Sequence, residues 1–156
     1  MAEGLDIIVV DDDRDVLECL EQSLRQFCKW GEIFCFNDAI QAKIYCEHRQ
    51  TNMALFILDV FMGSYNAFDF LNEIKVKFPL AAHDTVMITG MADQKVVDLC
   101  LESGVNHLLI KPLDYYSLQF SIRSIMAKYL WFANHLNSDP SFARLLEEAK
   151  RTACAV

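Results

Sequence analysis

Five short apolar runs separated by longer stretches of helical spacing predict an α/β fold: a (βα)5 doubly wound parallel sheet carrying a C-terminal helical extension. Strict alternation of strand and helix implies parallel strands, because each needs a crossover to return to the same edge of the sheet. Runs such as Ile7-Ile8-Val9-Val10 are apolar at every position, the pattern of strands covered on both faces.

The predicted strands are residues 5–10, 33–36, 54–60, 85–89 and 107–110. Beyond the first, Val16, Leu20, Leu24 and Phe27 repeat at helical intervals and mark a buried stripe. Leu71, Ile74 and Phe78 do the same until Pro79 stops that helix. The helical stretch 92–102 ends at Gly104, which suits a left-handed C-terminal cap. A last helix begins near Asp114, just after Pro112. Five strands of this kind point to the flavodoxin-like order 2-1-3-4-5, whose ligand site lies where the first and third strands diverge.

A chain of 156 residues fits one domain, and 53% hydrophobic residues argue against disorder. No apolar run reaches the roughly 18 residues of a membrane span, and the N-terminus is acidic where a secretory signal would be basic. The six cysteines, at 19, 28, 35, 46, 100 and 154, form no C-x-x-C pair and mostly sit in apolar runs, as thiols of a reducing compartment do. His48, His83, His107 and His135 have no metal-ligand spacing. A net charge of −8 opposes a sequence-independent grip on nucleic acid. These features lead to the expectation of a cytoplasmic protein that binds neither membrane nor DNA directly.

The chemistry collects at the predicted strand ends. The first strand runs into Asp11, Asp12 and Asp13, the third into Asp59, the fourth into Thr89-Gly90 and the fifth into Lys111-Pro112. Clustered carboxylates resist joint ionisation unless a cation lies among them. Mg²⁺ suits that role, since it takes oxygen ligands and works with one or two carboxylates plus phosphate. Asp59 would then attack an electrophilic phosphorus, and Thr89 and Lys111 would hold the transferred phosphoryl oxygens. Asp13 reads instead as the N-cap of the first helix.

These residues resemble the response-regulator receiver domains of two-component signal transduction. The likeness rests on Ile7 to Asp13, Leu58-Asp59-Val60-Phe61-Met62, Ile88-Thr89-Gly90 and Ile110-Lys111-Pro112, and covers residues 5 to about 130. It implies a phosphoacceptor switch rather than a turnover enzyme, with Asp59 taking phosphate from a phosphohistidine on a sensor histidine kinase or phosphotransfer protein. It also implies that Asp12, Asp59 and the backbone carbonyl of Phe61 hold Mg²⁺, with Asp11 acting mainly through water. Three positions depart from the pattern: Gly63 stands where a proline is usual, Asn66-Ala67 where an Asp-Gly or Ser-Gly pair is usual, and Leu108 where an aromatic switch residue is usual. Phe61 and Met91 flank the phosphoryl position in this alignment, and neither can orient an attacking water, so a long-lived phosphorylated state is expected.

The resemblance divides the chain into a receiver domain, 1–130, and a helical extension or linker toward an output domain, 131–156. Leu118, Ile122, Ile125, Tyr129, Phe132 and Leu136 repeat at roughly heptad spacing, so the last helix either folds back or pairs with a second copy as a homodimer. Asp139 and Pro140 then start a short amphipathic helix, too brief for an output domain, so the chain is either part of a longer regulator or a receiver whose tail meets a partner. Two rival functions follow from the same residues. One is a degenerate receiver that binds proteins without phosphorylation. The other is a haloacid dehalogenase-like phosphatase, suggested by Asp11-x-Asp13.

Overall fold

A computed structural model describes residues 5–154. Residues 1–4, read above as unlike a secretory signal, lie outside that range. The elements are β1 (Ile7–Val10), α1 (Arg14–Phe27), β2 (Ile33–Phe36), α2 (Ala39–His48), β3 (Leu55–Asp59), β4 (Phe61–Met62), β5 (Tyr65–Asn66), α3 (Ala67–Ile74), β6 (Thr85–Thr89), α4 (Gln94–Ser103), β7 (His107–Ile110), α5 (Tyr115–Ser138) and α6 (Pro140–Cys154).

Five parallel strands form the main sheet in the order β2-β1-β3-β6-β7, which is the predicted 2-1-3-4-5. Register runs Val10↔Leu58 between β1 and β3, and Thr89↔Ile110 between β6 and β7. The ends of β1 and β3 therefore lie side by side. The three central strands are buried throughout, as their unbroken apolar runs require. Phe56 is the hub of their packing, edge-on to Phe70 and Phe78.

Local chemistry explains most helix boundaries. The Asp13 carboxylate accepts from Asp15 N at 2.9 Å and Val16 N at 3.4 Å, so it caps α1 as expected. Asn66 caps α3 and Asp93 caps α4. Gly104, at φ 82°, closes α4 in the left-handed region. Gly31 answers a different need: a Cβ there would meet the Leu5 carbonyl oxygen at 2.4 Å.

Some expectations need correction. The buried stripe of α1 is Leu17, Leu20 and Leu24, continued by Cys28, while Val16 and Phe27 lie at its margin. Helix α3 stops at Ile74, not at Pro79, and Phe78 reaches the core from a turn whose N–H still bonds Ile74 O at 2.8 Å. The segment after Asp59 is a small antiparallel hairpin, β4–β5, turned by Gly63 at φ 67°. Cys28, Cys46 and Cys100 are buried and Cys35 is half-buried, but Cys19 is exposed. Burial pushes the Cys28 thiol up to about 12 and those of Cys35 and Cys46 up to about 11, so these three are poor nucleophiles. The Cys154 side chain lies outside the described ones.

The chain divides into two units between Ile122 and Arg123, within α5. In the first, Leu118 and Ile122 are buried. In the second, Leu130, Trp131, Phe132 and Leu136 are exposed. There the Asp139 carboxylate accepts from Ser141 N at 3.0 Å, starting α6 at Pro140 as expected.

Candidate functional site

The C-terminal edge of the sheet brings the expected residues together. Asp11 leaves β1 fully buried, and its backbone N–H bonds Phe36 O at 3.1 Å. One carboxylate oxygen, Oδ1, accepts from Asp13 N at 2.9 Å, and the other, Oδ2, lies 2.8 Å from Lys111 Nζ. Asp59, the last residue of β3, is 5% exposed, and its Oδ2 is 3.3 Å from the same ammonium. Asp12, on the turn between β1 and α1, is exposed. An oxygen from each of Asp11, Asp12 and Asp59 lies within 4.8 Å of the other two.

Charge at this edge is lopsided. Burial, reinforced by the negative charge of Asp11, pushes the Asp59 carboxyl from 3.8 up to about 6, although Lys111 and the Phe61 backbone N–H pull the other way. For Lys111, burial opposes the charged form. Its contacts with Asp11 and Asp59 outweigh that and raise its pKa, so it stays an ammonium. Two carboxylates on one cation, with the third aspartate close beside them, form a hard-oxygen donor set short of positive charge. The residues present therefore fit a divalent cation such as Mg²⁺.

Thr89 ends β6 and is fully buried, and its hydroxyl is engaged by the backbone that follows it. It donates to Met91 O at 3.0 Å and accepts from Met91 N at 3.1 Å, a local turn at the entrance to α4. Lys111 follows β7, with its backbone N–H on Thr89 O at 2.8 Å, and the Lys111-Pro112 peptide is cis. Phe61 and Met91 are 57% and 71% exposed, leaving bulky apolar groups at the surface. Leu108 is partly buried and packed against the core.

Sequence reasoning passed over two features. The hairpin places Phe61 opposite Asn66 and Met62 opposite Tyr65. Its signal was a Gly-Ser turn between two pairs of strand-tolerant residues, too short to show periodicity. A second buried ion pair, Arg49 to Asp6 at 2.9 Å, lies at the opposite edge of the sheet. Nothing local in the sequence joins residues 43 positions apart.

A lysine set among carboxylates at the diverging ends of parallel strands occupies the ligand-binding position of a doubly wound α/β domain. The chain belongs to the response regulator receiver domain family, whose model matches residues 7–123. Among curated proteins it is 30% identical over 128 residues to the transcriptional regulatory protein ZraR of Klebsiella oxytoca, covering 80% of this chain and 27% of that one. It is 27% identical over 135 residues to the transcriptional regulatory protein CpxR of Escherichia coli, covering 85% and 54%. The cyclic di-GMP phosphodiesterase response regulator RpfG of Xanthomonas campestris is 26% identical over 113 residues, covering 70% and 29%. The chain thus spans about a quarter to a half of these relatives.

Solved structures share the fold. A response regulator receiver domain protein from Clostridium thermocellum superposes with a TM-score of 0.71 at 21% identity, covering 81% of this chain and 98% of that one. Chemotaxis protein CheY4 of Vibrio cholerae gives 0.67 at 17% identity, covering 80% and 99%. These matches do not favour the phosphatase or the degenerate reading. No helix among the described residues is long and apolar enough to cross a membrane.

Proposed function

We propose that this receiver is a phosphorylation-activated switch whose phosphoacceptor is Asp59. The observation that carries the reading is the gathering of Asp11, Asp12 and Asp59 oxygens within 4.8 Å of one another at the ends of β1 and β3, with the Lys111 ammonium on Asp11 and Asp59. A carboxylate oxygen of Asp59 bonds to phosphorus as the phosphorus–nitrogen bond of a phosphohistidine breaks, and the departing imidazole takes up a proton. The donor is a sensor histidine kinase or a phosphotransfer protein.

Asp12, Asp59 and the backbone carbonyl of Phe61 would hold Mg²⁺, with Asp11 beside them acting through water. When bound, that ion offsets the charge of the carboxylates and of the incoming phosphoryl oxygens. A structure of similar fold, the CheX–CheY complex of Borrelia burgdorferi, contains BeF3 and magnesium, in keeping with this chemistry. Lys111, already 3.3 Å from Asp59 Oδ2, is placed to meet a phosphoryl oxygen. Thr89 must first release Met91, which couples phosphorylation to the entrance of α4. That coupling shifts the conformational population of the surface formed by α4, β7 and α5.

The site works in the cytoplasm, and residues 131–156 lead to a downstream output domain or protein, or pair the last helices of two copies in a homodimer. Intact-mass spectrometry after incubation with acetyl phosphate and Mg²⁺ tests the chemistry. One added phosphoryl group is expected, lost in Asp59→Asn. An adduct that survives Asp59→Asn and disappears in Asp11→Asn would point to a phosphatase-type nucleophile. No adduct, even from a phosphohistidine donor, would favour a protein-binding module.

A further inference from the structure

The hairpin after Asp59 is too short to hold itself. Each strand has two residues, and an isolated two-stranded ribbon is marginal in water even when longer. Yet its first residue matters to the site. The Phe61 N–H hydrogen-bonds the Asp59 carboxylate, and the Phe61 carbonyl is the one assigned to Mg²⁺. The base of the hairpin is closed by Ala67 N, which donates to Val60 O at 3.0 Å.

Met62 anchors β4 in the core, and a second fastening comes from the return strand. The Tyr65 ring packs against the core, and its hydroxyl donates to a Glu73 carboxylate oxygen one residue before the end of α3. Burial, then that hydrogen bond and the charges of Glu73 and Asp69, raise the pKa of the Tyr65 phenol and keep it a donor. Glu73 in turn lies 3.5 Å from Lys43 Nζ on α2. The next residue, Asn66, caps α3 through Asp69 N at 2.9 Å. Both residues of β5 are therefore tied to α3, and through the ladder they hold β4.

We propose that Tyr65 is a positioning residue for the cation site. By tying β5 to Glu73 it sets the Phe61 peptide, which steadies Asp59 with its N–H and offers its carbonyl to the metal. The inference rests on the assignment of Mg²⁺ to Asp12, Asp59 and Phe61. Removing the hydroxyl leaves the ligands in place but lets the hairpin wander, so ordering it must accompany metal binding. Partners that orient metal ligands from behind commonly govern affinity by ten- to a hundredfold, and a hairpin that Met62 also anchors belongs near the lower figure.

The test is Mg²⁺ titration of the full metal-free chain, followed by calorimetry or amide chemical shifts. Tyr65→Phe and Glu73→Leu should each weaken Mg²⁺ roughly tenfold. Glu73→Gln keeps an oxygen acceptor and loses only an exposed ion pair, so it should stay within about twofold of the parent. With acetyl phosphate, half-saturating Mg²⁺ should rise in Tyr65→Phe while the rate at saturating Mg²⁺ stays at the parental value. Parental affinity in Tyr65→Phe would overturn the positioning role. So would a loss in Glu73→Gln as large as in Glu73→Leu. A parent that binds no Mg²⁺ would overturn the site assignment itself, and the positioning role with it.

Discussion

The two edges of the sheet each bury a carboxylate against a long cation, with opposite balance. At the N-terminal edge, Asp6 accepts from Glu32 N at 2.8 Å and from Arg49 at 2.9 Å. Arg49 also reaches the Tyr45 hydroxyl at 3.1 Å, Thr51 Oγ1 at 2.9 Å and Met53 O at 3.3 Å. One charge meets one charge, and the surrounding groups take up both terminal nitrogens of the guanidinium. At the C-terminal edge, Asp11 and Asp59 share Lys111 with Asp12 close beside them, and Asp59 pays in a raised pKa. A balanced buried pair organises the fold, whereas an unbalanced cluster waits for a charge from outside.

Breaking the balanced edge should have the largest effect. Arg49→Ala strands Asp6 without its cation and should lower unfolding free energy by about 3–5 kcal/mol, measured by urea denaturation. A loss under about 1 kcal/mol would mean that Asp6 is solvated well enough to need no partner.

Relieving the unbalanced edge should do the reverse. In metal-free protein at neutral pH, Asp59→Asn should stabilise the fold by about 1–3 kcal/mol, since the folded state raises this carboxyl from 3.8 to about 6. Destabilisation on that substitution would contradict the imbalance. The pH dependence has a definite sign. Between about pH 4 and 6 the folded protein binds more protons at Asp59 than the unfolded chain, so this contribution to stability falls as pH rises through the window. Urea midpoints across that range should show the fall in the parent and lose its Asp59 share in Asp59→Asn.

The smallest effect concerns the rim. Phe61→Asn puts a polar amide beside the phosphoryl position while keeping the backbone carbonyl, and should speed loss of phosphate several-fold, followed by intact mass over time. Rapid loss from the parent, unchanged by the substitution, would remove the case for a long-lived phosphorylated state.

Much of this was legible in the residues, for physical reasons. The boundaries of β2, β6 and β7 could be read because apolar runs end abruptly at polar or glycine residues. Asp11, Asp59 and Lys111 could be read because charged groups closing buried strands are costly without a purpose. Helix α2 left no periodic trace, since small Ala39, Ala42 and Cys46 face inward while Ile40 and Ile44 are exposed. The bonds of the Thr89 hydroxyl to the Met91 backbone depend on the turn after β6, which composition does not encode. Neither the Tyr65–Glu73 tie nor the Asp6–Arg49 pair could be read, because both depend on where the backbone brings distant or outward-facing groups.

The most direct test of the central claim is urea unfolding of the parent and of Asp59→Asn, each with and without Mg²⁺ at neutral pH. If the C-terminal cluster is built to receive a cation, Mg²⁺ at ten times its dissociation constant should stabilise the parent by about 1.4 kcal/mol. Asp59→Asn should start more stable and respond much less. A parent indifferent to Mg²⁺, or an Asp59→Asn variant that gains as much as the parent, would contradict the claim.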